Sequence, residues 1–309
     1  MKKFLPLTLS LCLALGISSP GLADNDERDN GETEQVVVKN QLKLSKNEIE
    51  RLIQLGYTEK QIELMTPEEY EREKNDHGKL VATEGSYYRL QKGKKPEKIS
   101  KQQALKEVKE YKEKLQKNGQ DTNEANTMAY DDDSETSWMY METKVTKYTD
   151  DSGAPTGEYR FKHDFEWLTE PFWELTDVVA ITHHDFFTYE EDSEYFKYYY
   201  DRYYAGEYYD TKSVTDRTAD EMSPEGLAFE VDLLSSDNSF DVRNHEGYMY
   251  YRTYLNDWDR NSGNVYGHYT HAEGSITGLT INLFTGQLSV TGMLRKSDMP
   301  DTGVELDLP

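Results

Sequence analysis

Cysteine is nearly missing from this chain of 309 residues: Cys12 is the only one. It follows Leu11 inside an apolar run, where a lipid-anchored cysteine would need a small residue before it. That run belongs to a segment that reads as a secretory signal peptide, Met1–Ala23. Lys2 and Lys3 open it, Phe4 to Ile17 supply its apolar middle, and Gly21-Leu22-Ala23 is a small-x-small cleavage site ahead of Asp24. Removing it leaves no thiol, which excludes thiol catalysis and disulfide cross-links together. An exported chain of that kind is held by its core, by bound ions, or by both. The pattern suits proteins released by Gram-positive bacteria. The first apolar run is too short to span a bilayer and no later run is longer, so a membrane-spanning protein is not expected. The expected place is outside the cell, free or loosely wall-associated.

Reactive motifs are absent as well. The chain has no Gly-x-Ser-x-Gly elbow and no phosphate-binding glycine loop, and His245-Glu246 lacks the second histidine of a His-Glu-x-x-His zinc motif. Positive charge is scarce, with 35 Lys and Arg against 59 Asp and Glu and a net of −24. Loss of Met1–Ala23 makes the balance more negative. Nucleic acid, which demands a basic footprint, is excluded as a partner. An acidic surface of this kind keeps a protein soluble or gathers divalent cations.

What is present divides the chain. Residues 24–41 are polar and charged and read as a disordered lead-in. A helical N-terminal domain is expected over 42–117. Ser45-Lys46-Asn47-Glu48, Thr58-Glu59-Lys60-Gln61 and Thr66-Pro67-Glu68-Glu69 each carry a helix-start box. In such a box a hydroxyl and a Glu or Gln side chain satisfy free N–H groups at the helix start. The first helix should bury Ile49, Leu52 and Ile53 and stop at Gly56. Lys79 to Leu90 reads as extended. Ser100 caps a further helix with Ala104, Val108, Tyr111 and Leu115 on one face. Residues 92–117 hold ten lysines against four glutamates, either a solvated face or a docking surface for something acidic.

Residues 118–135, with Asp131-Asp132-Asp133, read as an acidic linker. From Trp138 the period becomes two. Tyr159, Phe161, His163, Phe165 and Trp167 alternate with Arg160, Lys162, Asp164 and Glu166, and Leu227, Phe229, Val231 and Leu233 repeat the pattern. Leu279, Ile281 and Leu283 mirror Leu288, Val290 and Leu294 across Phe284-Thr285-Gly286-Gln287, as in a hairpin. The expected class is α+β, with a small helical region followed by an antiparallel β-sandwich over 136–309. That half holds 33 acids against 13 bases and therefore most of the charge.

Glu158-Tyr159-Arg160-Phe161-Lys162, Trp167-Leu168-Thr169-Glu170-Pro171 and Asp177-Val178-Val179-Ala180-Ile181 resemble a stretch shared by uncharacterised secreted proteins of bacilli. Tyr57-Thr58-Glu59 and Met65-Thr66-Pro67-Glu68-Glu69-Tyr70 are similar to the front part of the same proteins. The likeness covers about half the chain. It implies export and a helical-then-β layout, and it carries no substrate and no catalytic residue. The tyrosine-rich stretch after Asp185 departs from it.

Three groups of residues are candidates for chemistry. His163, His183, His184, His268 and His271 lie in the β half beside Asp164 and Asp185. Neighbouring strand positions point to opposite faces, however, so structural histidines fit better than a zinc site. Asp257, Asp259 and Asn261 place oxygens at alternate positions of a tight loop, as calcium requires. A plain Asp, Asn and Gly turn gives the same letters. Tyr189 to Asp210 contains nine tyrosines. Tyr195, Tyr198, Tyr199, Tyr200, Tyr203 and Tyr204 are the candidate ligand-binding residues, since a flat ring with a polar tip stacks on sugar rings; the alternative is rings packed inward. The preferred reading is a secreted non-catalytic protein that binds cell-wall glycan or another polysaccharide, with no cofactor other than calcium. Two alternatives stand beside it. One is a secreted hydrolase using paired carboxylates (Asp164, Glu166, Asp185, Glu190) or a metal. The other is a pro-protein whose basic N-terminal region is cut away.

Overall fold

Strands covered on both faces dominate the molecule, and that explains why the charged rows in the sequence are not solvent rows. A computed structural model describes residues 35–37, 42–120, 136–150 and 152–308. The segment read as a signal peptide, most of the lead-in and most of the acidic linker lie outside the described residues. Within the lead-in, β1 (Gln35–Val37) is a strand rather than disordered chain and pairs with β2 (Lys43–Ser45). The helices α1 (Lys46–Gln54), α2 (Glu59–Glu63) and α3 (Pro67–Glu73) then follow. Each starts at the expected serine or threonine with both halves of its capping box made. Leu52 and Leu55 are buried but Ile53 faces outward, so the buried stripe of α1 is narrower than expected. Gly56 ends it at φ 92°, a left-handed geometry that glycine takes without steric cost.

The larger sheet has eight antiparallel strands. In chain order these are β3 (Gly78–Gln91), β4 (Glu97–Ile99), β5 (Thr136–Thr149), β6 (Pro155–Trp167), β8 (Phe187–Tyr189), β9 (Tyr195–Tyr204), β10 (Glu207–Asp216) and β13 (Asp241–Leu255). Between β4 and β5 runs α4 (Lys101–Gln120), whose Ala104 and Val108 cover Trp138. The second sheet contains β7 (Thr176–His183), β11 (Glu221–Ser223), β12 (Gly226–Asp232), β14 (Ser262–Ala272), β17 (Lys296–Asp298) and β18 (Thr302–Asp307). A separate hairpin, β15 (Ile276–Phe284) with β16 (Gln287–Met293), pairs Ile281 with Val290 and Leu283 with Leu288 as the mirrored apolar rows require. The antiparallel, β-rich character expected from the period-two patterns is therefore observed.

A domain boundary at 118–135 is not. β3, from the segment expected to be a helical domain, pairs with β5 along its whole length, from Gly78 with Tyr148 to Gln91 with Thr136. Residues on both sides of the expected linker thus supply neighbouring strands of one sheet, and 35–309 form one compact unit. The helices are a layer on that sheet because their apolar stripes are too short to make a core alone.

Four layers result. The main core lies between the sheets and joins Tyr88, Met139, Phe161, Phe165 and Trp167 to Val179, Ile181, Phe229 and Tyr269. On the outer face of the larger sheet, Tyr148, Tyr195, Tyr199, Tyr248 and Tyr250 pack against Leu52, Leu55, Tyr57, Ile62 and Met65 of the helical layer. On the outer face of the second sheet, Val178, Ala180 and Ala228 pack under Ile281, Leu283 and Val290 of the hairpin. Each fully buried aromatic or aliphatic side chain contributes roughly 1.5–3 kcal/mol.

The sheets approach closely at Gly267, where an added Cβ would collide with His163 Nδ1 and Thr143 Oγ1. Gly267→Ala should therefore cost about 3 kcal/mol through overpacking. Gly274→Ala, whose Cβ would meet only ordinary contacts near 3.7 Å, should leave the urea midpoint almost unchanged. Equal midpoints for the two variants would contradict this account.

Candidate functional site

β9 and β10 form a hairpin closed by Ala205 and Gly206, at φ 51° and 82°, a two-residue turn of the kind that matches strand twist. Alternation along β9 separates its side chains. Tyr195, Lys197 and Tyr199 point to the helical layer, while Phe196 and Tyr198 enter the core between the sheets. Beyond Tyr200 the hairpin outruns both covering layers. Tyr204, Tyr208 and Tyr209 are then 61%, 51% and 60% exposed.

This divides the six tyrosines expected to meet a ligand. Tyr195, Tyr198 and Tyr199 are buried and are not available. The Tyr195 hydroxyl donates to Glu69 of α3, which also holds the Lys197 ammonium at 2.8 Å. Tyr198 oxygen accepts from Leu234 N–H and stands 2.6 Å from His245 Nδ1. Tyr200 is half-buried against the main core and Tyr203 is half-buried at the tip, which leaves Tyr204 as the exposed member. The physical reason is that β9 is an inner strand between β10 and β13, covered on both faces over its first half.

At the tip the exposed rings are organised. On one face Tyr204 and Tyr209 lie 6.1 and 5.2 Å from Phe240, and the Arg202 guanidinium sits 4.4 Å over that Phe240 ring. Arg202 is fixed by a two-pronged pair with Asp210 at 2.7 and 2.8 Å. On the other face Tyr203 and Tyr208 meet edge to face at 5.9 Å, with Arg243 4.6 Å over Tyr203. Asp201 accepts from Thr211 at 2.6 Å and from Asn244 Nδ2 at 2.9 Å. Beside Tyr208 a cleft of about 360 Å³ opens between α2 and the hairpin, lined by Glu59, Glu63, Leu64, Asp201 and Thr211. Flat rings, bidentate-capable carboxylates and guanidinium groups in one place suit a polyhydroxylated ligand. Tyr208, Tyr209 and Phe240 lie outside the expected set; Gly206, a turn residue inside the aromatic run, is the sequence signal that would have shown the run folding back on itself.

The remaining expectations separate clearly. Both carboxylate oxygens of Asp257 are engaged within its own loop. Its Oδ1 accepts from Asp259 N–H at 3.1 Å, its Oδ2 from Arg260 Nε at 2.9 Å, and Asp259 and Asn261 face solvent. The loop is a turn whose Asp257 has a counter-charge of its own in Arg260. Among the suspected acids, Asp164 is buried between Lys144 and Lys162 and accepts from Gln61 of α2. Burial raises its pKa, but the two lysines outweigh that and bring it down to about 2. A group ionised so firmly is no general acid. Lys162 is itself brought down to about 7 by burial, which Asp164 only partly offsets.

Most histidines are structural. Burial lowers His163 to about 3 and His183 to about 4, with His163 Nδ1 on Thr143 and His183 Nδ1 on the His184 carbonyl. His271 Nδ1 is 3.0 Å from Asp177, a carboxylate that also accepts from Tyr269. His268 joins Thr182 and Asp301 in a relay, 2.7 Å from the hydroxyl and 2.6 Å from the carboxylate. That order resembles a nucleophile–base–acid arrangement. Thr182 is nonetheless fully buried, and Gly286 N–H of the β15–β16 turn donates to its hydroxyl, so no substrate carbonyl reaches it. The fifth buried histidine, His245, faces Glu170 and Glu174.

Among the described residues no helix is long and apolar enough to cross a membrane. Comparison with models of known protein families and with curated proteins finds no match to this chain.

Proposed function

We propose that the chain is an exported, non-catalytic carbohydrate-binding protein that docks on cell-wall glycan or another polysaccharide through the tip of the β9–β10 hairpin. The observation that carries this reading is the tip itself. Its three most exposed tyrosines, together with Phe240, project beyond the layers that cover the rest of the sheet, each face holding an arginine against its rings. Rings already fixed by neighbours lose little freedom on binding. The layered β body and its helical front serve as the rigid support, and the signal-like Met1–Ala23 together with the likeness to secreted proteins of bacilli supports export.

A pull-down on insoluble wall glycan and on a panel of polysaccharides tests it. Tyr204→Ala/Tyr209→Ala/Phe240→Ala should weaken retention at least tenfold, equivalent to about 1.4 kcal/mol, with an unchanged circular dichroism spectrum. Retention equal to the parent chain would defeat the reading.

The pro-protein alternative has an observation against it. A cut in 121–135 would leave β3 hydrogen-bonded along β5, and the helical layer with it, so the basic segment would stay attached. The paired-carboxylate alternative loses Asp164 to its two lysines.

A further inference from the structure

We infer that Glu170, Glu174 and His245 form a binding site for one divalent transition-metal ion, zinc in the first place. This inference does not rest on the carbohydrate reading. β13 carries a bulge between Arg243 and Glu246, with Asn244 at φ 58°, and His245 lies within it. The bulge brings the His245 ring beneath the loop that joins β6 to β7, which supplies both glutamates. The three residues offer ligand atoms that all lie within 4.8 Å of one another.

His245 is fully buried, and its Nε2 has no hydrogen-bond partner; nor has the buried Oε2 of Glu170. The two atoms are nevertheless only 3.1 Å apart, and Glu174 Oε1 is 3.6 Å from the same nitrogen. They are close without being aimed at each other, as groups are when each faces a common third point. Bonds of about 2.0–2.1 Å around a tetrahedral zinc place neighbouring ligand atoms roughly 3.4 Å apart, a spacing between the two observed values.

The surroundings complete the ligand set. With Nδ1–H donating to the Tyr198 oxygen 2.6 Å away, loss of the Nε2 proton leaves that nitrogen's lone pair for the ion. Asn244 N–H donates to Glu170 Oε1 at 3.3 Å, which orients that carboxylate. Among the described residues no lysine or arginine is ion-paired with Glu170 or Glu174, so a doubly charged cation that displaces the His245 Nε2 proton would balance the two carboxylates. One imidazole and two carboxylates form a nitrogen–oxygen set that suits zinc and leaves a fourth position open. The side chain of Glu174, one-fifth exposed, provides the route in from solvent.

The test uses the full chain, stripped with a chelator, dialysed, and titrated with zinc chloride against a chromophoric competitor. One equivalent should bind with micromolar or tighter affinity and raise the melting temperature. Glu174→Gln, which alters a partly exposed group and should keep the fold, ought to weaken binding at least a hundredfold and abolish the thermal shift. His245→Gln should do the same wherever it remains folded by circular dichroism. Absence of a stoichiometric site would overturn the inference, as would a Glu174→Gln protein that binds zinc like the parent. Tighter binding of calcium or magnesium than of zinc would also overturn it, since imidazole would then not be a ligand.

Discussion

Acidification from pH 6.5 to 4 should unfold the protein, chiefly through His163 and His183. Both rings are buried in the main core, and burial holds their folded values at about 3 and about 4. The unfolded chain takes up those protons near pH 6.5, so stability is complete above that value and falls as pH drops toward 4 and then 3. At pH 5 each residue removes roughly 2 kcal/mol, and at pH 4 the pair removes roughly 6 kcal/mol. A typical domain has only about 5–15 kcal/mol to lose.

His245 does not offset this loss. Burial disfavours its charged form, but Glu170 and Glu174 outweigh burial and hold it at about 9. Its contribution is therefore complete below pH 6.5 and disappears as pH rises through 9. Discharge of the surface carboxylates relieves repulsion as pH falls, and moderate salt suppresses that opposing effect. Urea midpoints of the parent and of His163→Gln, followed from pH 7 to 5 in 0.3 M salt, check the expectation. The variant starts less stable, and the gap should narrow by roughly 2 kcal/mol. Parallel curves would show that His163 is not the titrating group.

Removing one partner of the Arg160–Glu73 pair should be the most damaging single change to the helical layer. Arg160 projects from β6 with no exposed surface, its guanidinium 4.3 Å from the Tyr250 ring and paired with Glu73 of α3. Tyr250 donates to the other Glu73 oxygen at 2.9 Å. Glu73→Leu leaves a buried cation with only Asp76, 3.5 Å away, and should cost about 3–5 kcal/mol. The double variant Arg160→Met/Glu73→Leu should recover most of that loss, because two apolar side chains need no counter-charge. Urea unfolding of the two singles and the double gives the coupling energy. A Glu73→Leu cost below 1 kcal/mol would mean that the pair does not anchor α3.

That pair also shows where sequence reading stops. The boxes at Ser45, Thr58 and Thr66 were legible because a cap is a local contract among four residues, and the Leu283–Leu288 hairpin was legible for the same reason. The row Arg160, Lys162, Asp164 was legible as one face of a strand. Its burial was not, since a charged row beneath a layer has the same period as one in water. The difference lies in Glu69, Glu73 and Asp76, more than 80 residues away, which meet Lys197, Arg160 and Arg252 across the layer.

Tyrosine raised the same difficulty at the site. Tyr199 and Tyr204 look alike in sequence, yet one packs under α2 and the other projects past every covering element. His245 drew attention only as part of an incomplete zinc motif. Its actual companions, Glu170 and Glu174, lie on a distant loop that no spacing rule connects to it.

The last strand has a kinetic consequence. Thr302 of β18 meets Thr143 of β5 at 2.6 Å, and Gly303 N–H donates to Glu84 of β3 at 3.1 Å, contacts spanning 159 and 219 residues. Closing such distant segments carries a large entropic cost before any packing compensates for it, and all-β topologies of this kind assemble in milliseconds to seconds rather than microseconds. Val304 and Leu306 of β18 belong to the aromatic interior, so a chain in which β18 has not yet docked leaves that interior wet along one edge.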